Sequence, residues 1–203
     1  AAANATETFS SRRTIISEIP TDRRGLVLPP INIDPPEHTE HRRLLLPFFT
    51  PKATAEWEPT IREICSRLLN GLDGQTEFDA AVEYAQEIPG DVTARMLGVS
   101  LEDTPQFREW LHDLLEVGPT NPTVQRETTT EMMDYLLQLT RERRAHHHDG
   151  DVVQYLLDQR MDGEALTDDA IAKTLFLLLI AGVDTTWSAI SSSLLHLATH
   201  PED

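Results

Sequence analysis

The sequence predicts a mainly α-helical chain, and three features carry that expectation. Cap-then-proline pairs recur at Asp34-Pro35, Thr50-Pro51 and Asn121-Pro122, each a polar N-cap followed by a residue preorganised for the first turn. Trp57, Ile61, Ile64, Cys65, Leu68, Leu69 and Leu72 recur at the spacing of one buried helical face. No alternation of period two reaches a useful length, so strands are minor, and no segment repeats internally.

A chain of 203 residues is long enough for one domain with a sizeable core. Its 39% hydrophobic and 25% charged residues are ordinary for a soluble globular protein. One cysteine, Cys65, excludes an internal disulfide framework and fits a reducing compartment. No signal peptide is visible, and the apolar run 175–183 is shorter than the ~20 residues a bilayer needs. A cytoplasmic chain with no membrane partner is therefore expected. The net charge of −17 is unevenly placed: residues 1–43 hold six Arg against six acids, so the whole excess lies in 44–203. Such a chain repels nucleic acid, while its balanced head suits a local anionic ligand.

Taken in order, 1–33 show little periodicity. Ser10-Ser-Arg-Arg13 and 20–25 are turn-like, and Leu26-Val-Leu-Pro-Pro-Ile31 is extended, an apolar loop that packs on a core or lines a pocket. Asp34 is the expected N-cap of the next helix, with Pro35 at its first position and Glu37 completing a capping box, and this helix runs to about Pro47. Thr50-Pro51 opens another, closed by Gly71 and Gly74. Residues 78–98 are helical, with a kink or break at Pro89-Gly90 and Gly98 as C-cap. Helices over 104–116 and 121–144 follow, joined by the breaker-rich linker Val117-Gly-Pro-Thr120. His146-His-His148 could bind a metal, but no Cys or second His cluster completes a site, and a solvated loop is expected. A short helix over 151–159 precedes one long helix from N-cap Thr167 to Thr199, stopped at His200-Pro201 and ~50 Å long.

The chemistry of that last helix is unusual. Apolar on every side from 175 to 183, it belongs in a core, yet Asp184, Thr185 and Thr186 follow at once. Thr185 can bond back to the carbonyl of Ala181, which tends to bend or open a helix, and Gly182 lets a flat ligand approach the backbone. Two readings stay open: a helix widened at a functional point, or a core helix whose Asp184 finds an Arg partner. Upstream, His38 and Arg42 share a helical face and suit a carboxylate or phosphate, unless that face is simply solvated with Arg42 paired to an acid. His41 and Arg43 are expected to face solvent, and Cys65 to be an inert small hydrophobe. Thr185, Ser188, Ser192, His196 and Thr199 form a polar stripe, and no serine sits on a nucleophile elbow.

Asp34-Pro-Pro-Glu-His-Thr-Glu-His-Arg-Arg43, followed by Pro47-Phe-Phe-Thr-Pro51, resembles the entry to helix C of a bacterial-type cytochrome P-450, a haem-thiolate monooxygenase. Leu178-Leu-Ile-Ala-Gly-Val-Asp-Thr-Thr186 resembles that family's distal I helix, whose pattern is Ala/Gly-Gly-x-Asp/Glu-Thr. The helices between correspond to D to H. The resemblance implies a partial cytochrome P-450-like helical fold, with 1–33 the B–C loop region, 34–160 helices C to H and 167–199 helix I.

It also implies haem as the cofactor of the parent protein and O2 as co-substrate. By that resemblance His38 and Arg42 would pair with a haem propionate, and Ala181 and Gly182 would let the long helix lie close over the porphyrin. Thr185 would hold a water or hydrogen-bond oxygen on the distal side, and Asp184 would help pass protons there. Leu26, Leu28, Ile31, Leu177 and Ile180 would line a pocket for a mainly apolar small molecule. An electron-transfer partner, a ferredoxin or a fused reductase, would dock near Arg42, Arg43 and Lys52. The family's N-terminal sheet, the Glu-x-x-Arg of helix K and the Gly-rich loop with the iron-ligating cysteine have no counterpart here, and Cys65 does not match that cysteine. No metal ligand is assigned, and the resemblance implies an internal fragment that is inactive by itself. Against it stands a non-catalytic helical interaction or regulatory domain, with Asp184 a structural acid.

Overall fold

A computed structural model describes residues 8–12 and 26–202; Arg13 and the turn-like stretch 20–25 lie outside the described residues. Helix α1, Glu37–Leu45, starts later than its capping box predicts. The Asp34 carbonyl does accept the His38 N–H at 3.1 Å, but the carboxylate is engaged elsewhere. It accepts the Ser10 hydroxyl and the Ser11 N–H, each at 2.7 Å, and pairs with Arg12 at 3.2 Å. These contacts, the Ser10 hydrogen bond foremost, hold the Asp34 carboxyl below its ordinary range. A clasp to the N-terminal segment has replaced a cap.

After a 3-10 turn over Leu46–Phe49 comes α2, Pro51–Gly71, whose cap is as expected: Thr50 Oγ1 accepts the Ala53 N–H at 3.2 Å. Its apolar face is not buried as one unit. Only Ile64 is fully enclosed, and Leu69 is 51% exposed, because α2 packs mainly on α3 and the short turns beside it.

Pro89 and Gly90 do not break a helix. They occupy the first turn of α3, Glu87–Leu97, where proline forfeits no intrahelical bond. The irregularity lies upstream, in a π turn over Ala81–Ala85 whose i→i−5 bonds, Ala85 to Ala80 and Gln86 to Ala81, are both 2.9 Å. Gly98 ends α3 at φ 66°, and Asp151 packs so closely on it that a side chain there would collide.

Helix α4, Thr104–His112, runs into a second π turn, Asp113–Val117. Asn121 caps α5, Pro122–Ala145, and Asp151 caps α6, Val152–Asp158. The strands β1, Arg160–Met161, and β2, Glu164–Ala165, form a small antiparallel hairpin turned by Asp162 and Gly163, both at positive φ. In the preceding loop His147 and His148 meet Asp149 and Asp151 at 2.7 and 3.0 Å.

Helix α7, Asp168–Thr199, is 32 residues long and capped by Thr167. By length and composition it is apolar enough to cross a membrane, yet its first half is the centre of the core. Ile171, Leu175, Phe176 and Leu179 are fully buried there, in one cluster with Phe107 of α4, Leu136 of α5 and Leu156 of α6. Beyond Val183 no residue of α7 is buried among the described residues, and Leu195 and Leu197 are open to solvent.

Candidate functional site

Helix α7 stays α-helical through Gly182, so the expected widening is not found. Thr185 Oγ1 does donate to the Ala181 carbonyl, at 2.7 Å. A carbonyl has two lone pairs, so the hydroxyl adds a bond without displacing the helical one.

The unusual stretch faces several ways at once. Ala181, Thr185, Ser188 and Ser192 lie along one line of the helix and are all exposed, whereas Leu177, above them on that line, is buried. Gly182 turns toward α3, where Thr93 Oγ1 would stand 3.6 Å from a β-carbon placed on it. Ala181 and Gly182 border a mostly apolar cavity of about 150 Å³ with Phe49, Thr93, Met96 and Leu178. Asp184 instead lines a cleft of about 230 Å³ with Gln86, Arg108, His112, Glu116 and Trp187. The cleft's arginine is not its partner: Arg108 pairs with Glu87 at 2.9 Å, and His112 with Glu116 at 3.3 Å. Asp184 has no ion pair among the described residues, so the core acid neutralised by an arginine is not what the fold contains.

On α1, Arg42 is exposed and has no acid partner among the described residues, while Arg43 leans weakly toward Glu40 at 3.9 Å. His38 is half-buried. The expectation that His41 faces solvent is corrected: it stands four residues before buried Leu45, and desolvation lowers its pKa against the opposing pull of Glu37 and Glu40. The chain that leaves α1 reaches Phe49, which borders the cavity at Ala181 and Gly182. Phe49, in the turn that follows the cationic helix, thus borders the small-residue stretch of α7, a place that no local pattern assigns it.

Among the expected pocket residues, Leu28, Leu177 and Ile180 belong to the packed core, Leu26 lies half-buried against it, and Ile31 stays outside. Asn32 explains the division. Its side-chain oxygen accepts the Leu28 N–H at 2.7 Å and its amide donates to the Leu26 carbonyl at 2.9 Å, which turns both leucines inward. Thr93, Arg108, His112 and Trp187 were also missed. They come from three helices, Thr93 from α3, Arg108 and His112 from α4 and Trp187 from α7, and no local pattern marks them.

A flat, anionic, largely apolar cofactor fits these residues. Arg42 offers an uncommitted guanidinium, Ala181 is small and open, and Phe49 and Leu178 supply an apolar rim. Cys65 is not part of the arrangement. It stands half-buried on α2 against Tyr84, whose hydroxyl is pushed up by burial and then by its bond to that thiol.

Comparison with known proteins agrees. Cytochrome P450(MEG) of Priestia megaterium is 34% identical over 195 residues, which cover 91% of this chain and 47% of that protein. The structure of cytochrome P450 CYP109Q5 from Chondromyces apiculatus matches with a TM-score of 0.82 and 33% identity, covering 99% of this chain and 50% of that one. CYP109E1 from Bacillus megaterium, solved in complex with testosterone, matches with a TM-score of 0.76 and 35% identity, over 82% and 45% of the two chains. The chain spans about half the length of the curated relatives it matches. The cytochrome P450 profile itself matches residues 2–202, which takes in every helix described above, and this chain belongs to the cytochrome P450 family.

Proposed function

We propose that the chain is the distal half of a haem-dependent monooxygenase, with 1–33 as the B–C loop region, 34–160 as helices C to H and 167–199 as helix I. The observation that carries this reading is one turn of α7. It sets the Thr185 hydroxyl on the open face and the Asp184 carboxylate in a solvent-connected cleft on another. Haem, when bound, supplies the redox chemistry that puts one atom of O2 into the substrate and releases the other as water, using two electrons and two protons. The chain's own residues manage the surroundings. His38 and Arg42 hold the propionates through charge-assisted hydrogen bonds. Ala181 and Gly182 would leave room beside α7 for the haem, Thr185 would hold a water, and Asp184 would help pass protons from the cleft. The thiolate ligand comes from outside these 203 residues, so the piece alone does not turn over.

The substrate is a mainly apolar small molecule, contacted by Leu26, Leu28, Ile31, Leu177 and Ile180; the testosterone held by CYP109E1 is of that character. Electrons come from a ferredoxin-like protein or a fused reductase, which meets the exposed cations Arg43 and Lys52 beside Arg42. The compartment is cytoplasmic, as the single cysteine suggests. The deciding experiment is the absorption spectrum of the complete protein after reduction and exposure to carbon monoxide. A haem-thiolate band supports the reading, and its absence leaves the non-catalytic helical domain. Thr185→Ala in that protein raises peroxide released per O2 consumed; an unchanged yield sinks the role given to Thr185.

A further inference from the structure

Two π turns occur in the described chain, Ala81–Ala85 and Asp113–Val117, and the second contributes to the cleft that holds Asp184 while the first ends at its edge. Gln86, a lining residue, directly follows the first, and Glu116 belongs to the second. Such turns are rare and concentrate at functional sites, because the extra residue weakens the local ladder and needs something to hold it.

One tertiary hydrogen bond ties α7 to the first of these turns. The Trp187 indole N–H donates to the Ala81 carbonyl at 3.2 Å, across 106 positions of sequence. That carbonyl also accepts the Gln86 N–H of the π turn at 2.9 Å, so a single oxygen holds both its own turn and the long helix. Trp187 lies three residues after Asp184, on the same side of α7 and in the same cleft. Among the described residues no side chain outside α7 makes a polar contact to that turn. Arg108 and His112 are committed to Glu87 and Glu116, and the Thr185 hydroxyl bonds within its own helix.

The geometry points to Trp187 as a positioning residue: its bond to Ala81 sets the orientation of the α7 turn from which Asp184 passes protons. This rests on the proton-delivery reading of Asp184 given above. Trp187 touches neither cofactor nor substrate in this scheme, and it acts only through Asp184.

Trp187→Phe keeps an aromatic ring in the cleft and removes the donor alone. Hydrogen–deuterium exchange of the complete haem-bound protein reads the tether without reference to turnover. Amides at 184–188 exchange about five- to tenfold faster in the variant, the equivalent of one ordinary hydrogen bond, while those at 171–180 keep their rates. With no substrate added, a larger share of consumed O2 is recovered as peroxide, the two-electron, two-proton product, instead of water. Unchanged exchange at 184–188, or a uniform rise along α7, overturns the proposal. Faster local exchange with an unaltered peroxide share also overturns it, provided Asp184→Asn raises that share in the same assay. Should Asp184→Asn leave the share unaltered, the proton-delivery reading fails instead, a result set apart by the exchange change that persists in Trp187→Phe.

Discussion

Thr93 on α3 and Gly182 on α7 face each other at an ordinary packing distance: Thr93 Oγ1 would lie 3.6 Å from a β-carbon on Gly182. Neither helix packing nor backbone conformation therefore demands glycine at this point. Gly182→Ala should stabilise this chain by ~0.5–1 kcal/mol through helix propensity alone. The same methyl group narrows the cavity beside Ala181 and should weaken haem retention in the complete protein. Thermal unfolding followed by circular dichroism tests the first effect, and a lowered midpoint would show that glycine serves the packing after all.

Arg42 is exposed and carries no ion pair among the described residues. Arg42→Gln should leave unfolding stability within ~0.5 kcal/mol of the wild type. Haem should transfer to a scavenging globin at least about tenfold faster, the loss of one charge-assisted hydrogen bond to a propionate. Equal transfer rates would remove Arg42 from the cofactor site.

Acid should open the N-terminal clasp. The Asp34 carboxyl sits below its ordinary 3.8, held there first by the Ser10 hydroxyl and then by the Ser11 N–H. A depressed folded-state value means that the clasp's contribution is complete above about 3.8 and fades as pH falls through the lower folded value. Hydrogen-exchange protection at Ser11 and Arg12, taken relative to the intrinsic rate at each pH, should therefore fall steeply below that point and stay flat above it. Asp34→Asn should show the lowered protection already at neutral pH. A flat profile down to pH ~2 would contradict the linkage.

Asp151 joins three helix ends. It caps α6 through the Gln154 N–H at 2.7 Å and pairs with Arg143 of α5 at 3.1 Å, while Arg143 donates to the Gly98 carbonyl at 3.0 Å. Asp151→Ala strands a mostly buried guanidinium and removes a cap, which should cost ~3–5 kcal/mol. Asp151→Asn can keep the cap and should cost less. Urea unfolding midpoints of the two variants give the comparison, and near-equal midpoints would mean that the ion pair matters more than the cap.

The contrast between α2 and α7 shows what kind of information a sequence holds. Thr50, Asn121 and Thr167 each accept an N–H from the turn they precede, because capping is a contact between residues two or three apart. Asp34 carries the same local signal and does something else, since its carboxylate found Ser10, Ser11 and Arg12 at a separation no window covers. The periodic face of α2 announced burial correctly in kind, but how much of it is covered depends on which helices lie alongside. Pro89 illustrates the same limit: its effect depends on whether it falls in a first turn or an interior one, which the upstream π turn decided.

By itself the sequence determined the helical class, most helix starts and the long helix from Thr167, together with the two motifs that mark His38, Arg42 and the 181–185 stretch. Those are properties of spacing and of local hydrogen bonding. Only the tertiary structure decided that Thr185 faces outward while Asp184 enters a cleft made by Gln86, Arg108, His112 and Trp187, and that Gly182 meets Thr93. Adjacent helical residues point about 100° apart, so their chemical surroundings are set by whichever distant elements pack on each side, and that choice is made by the whole core.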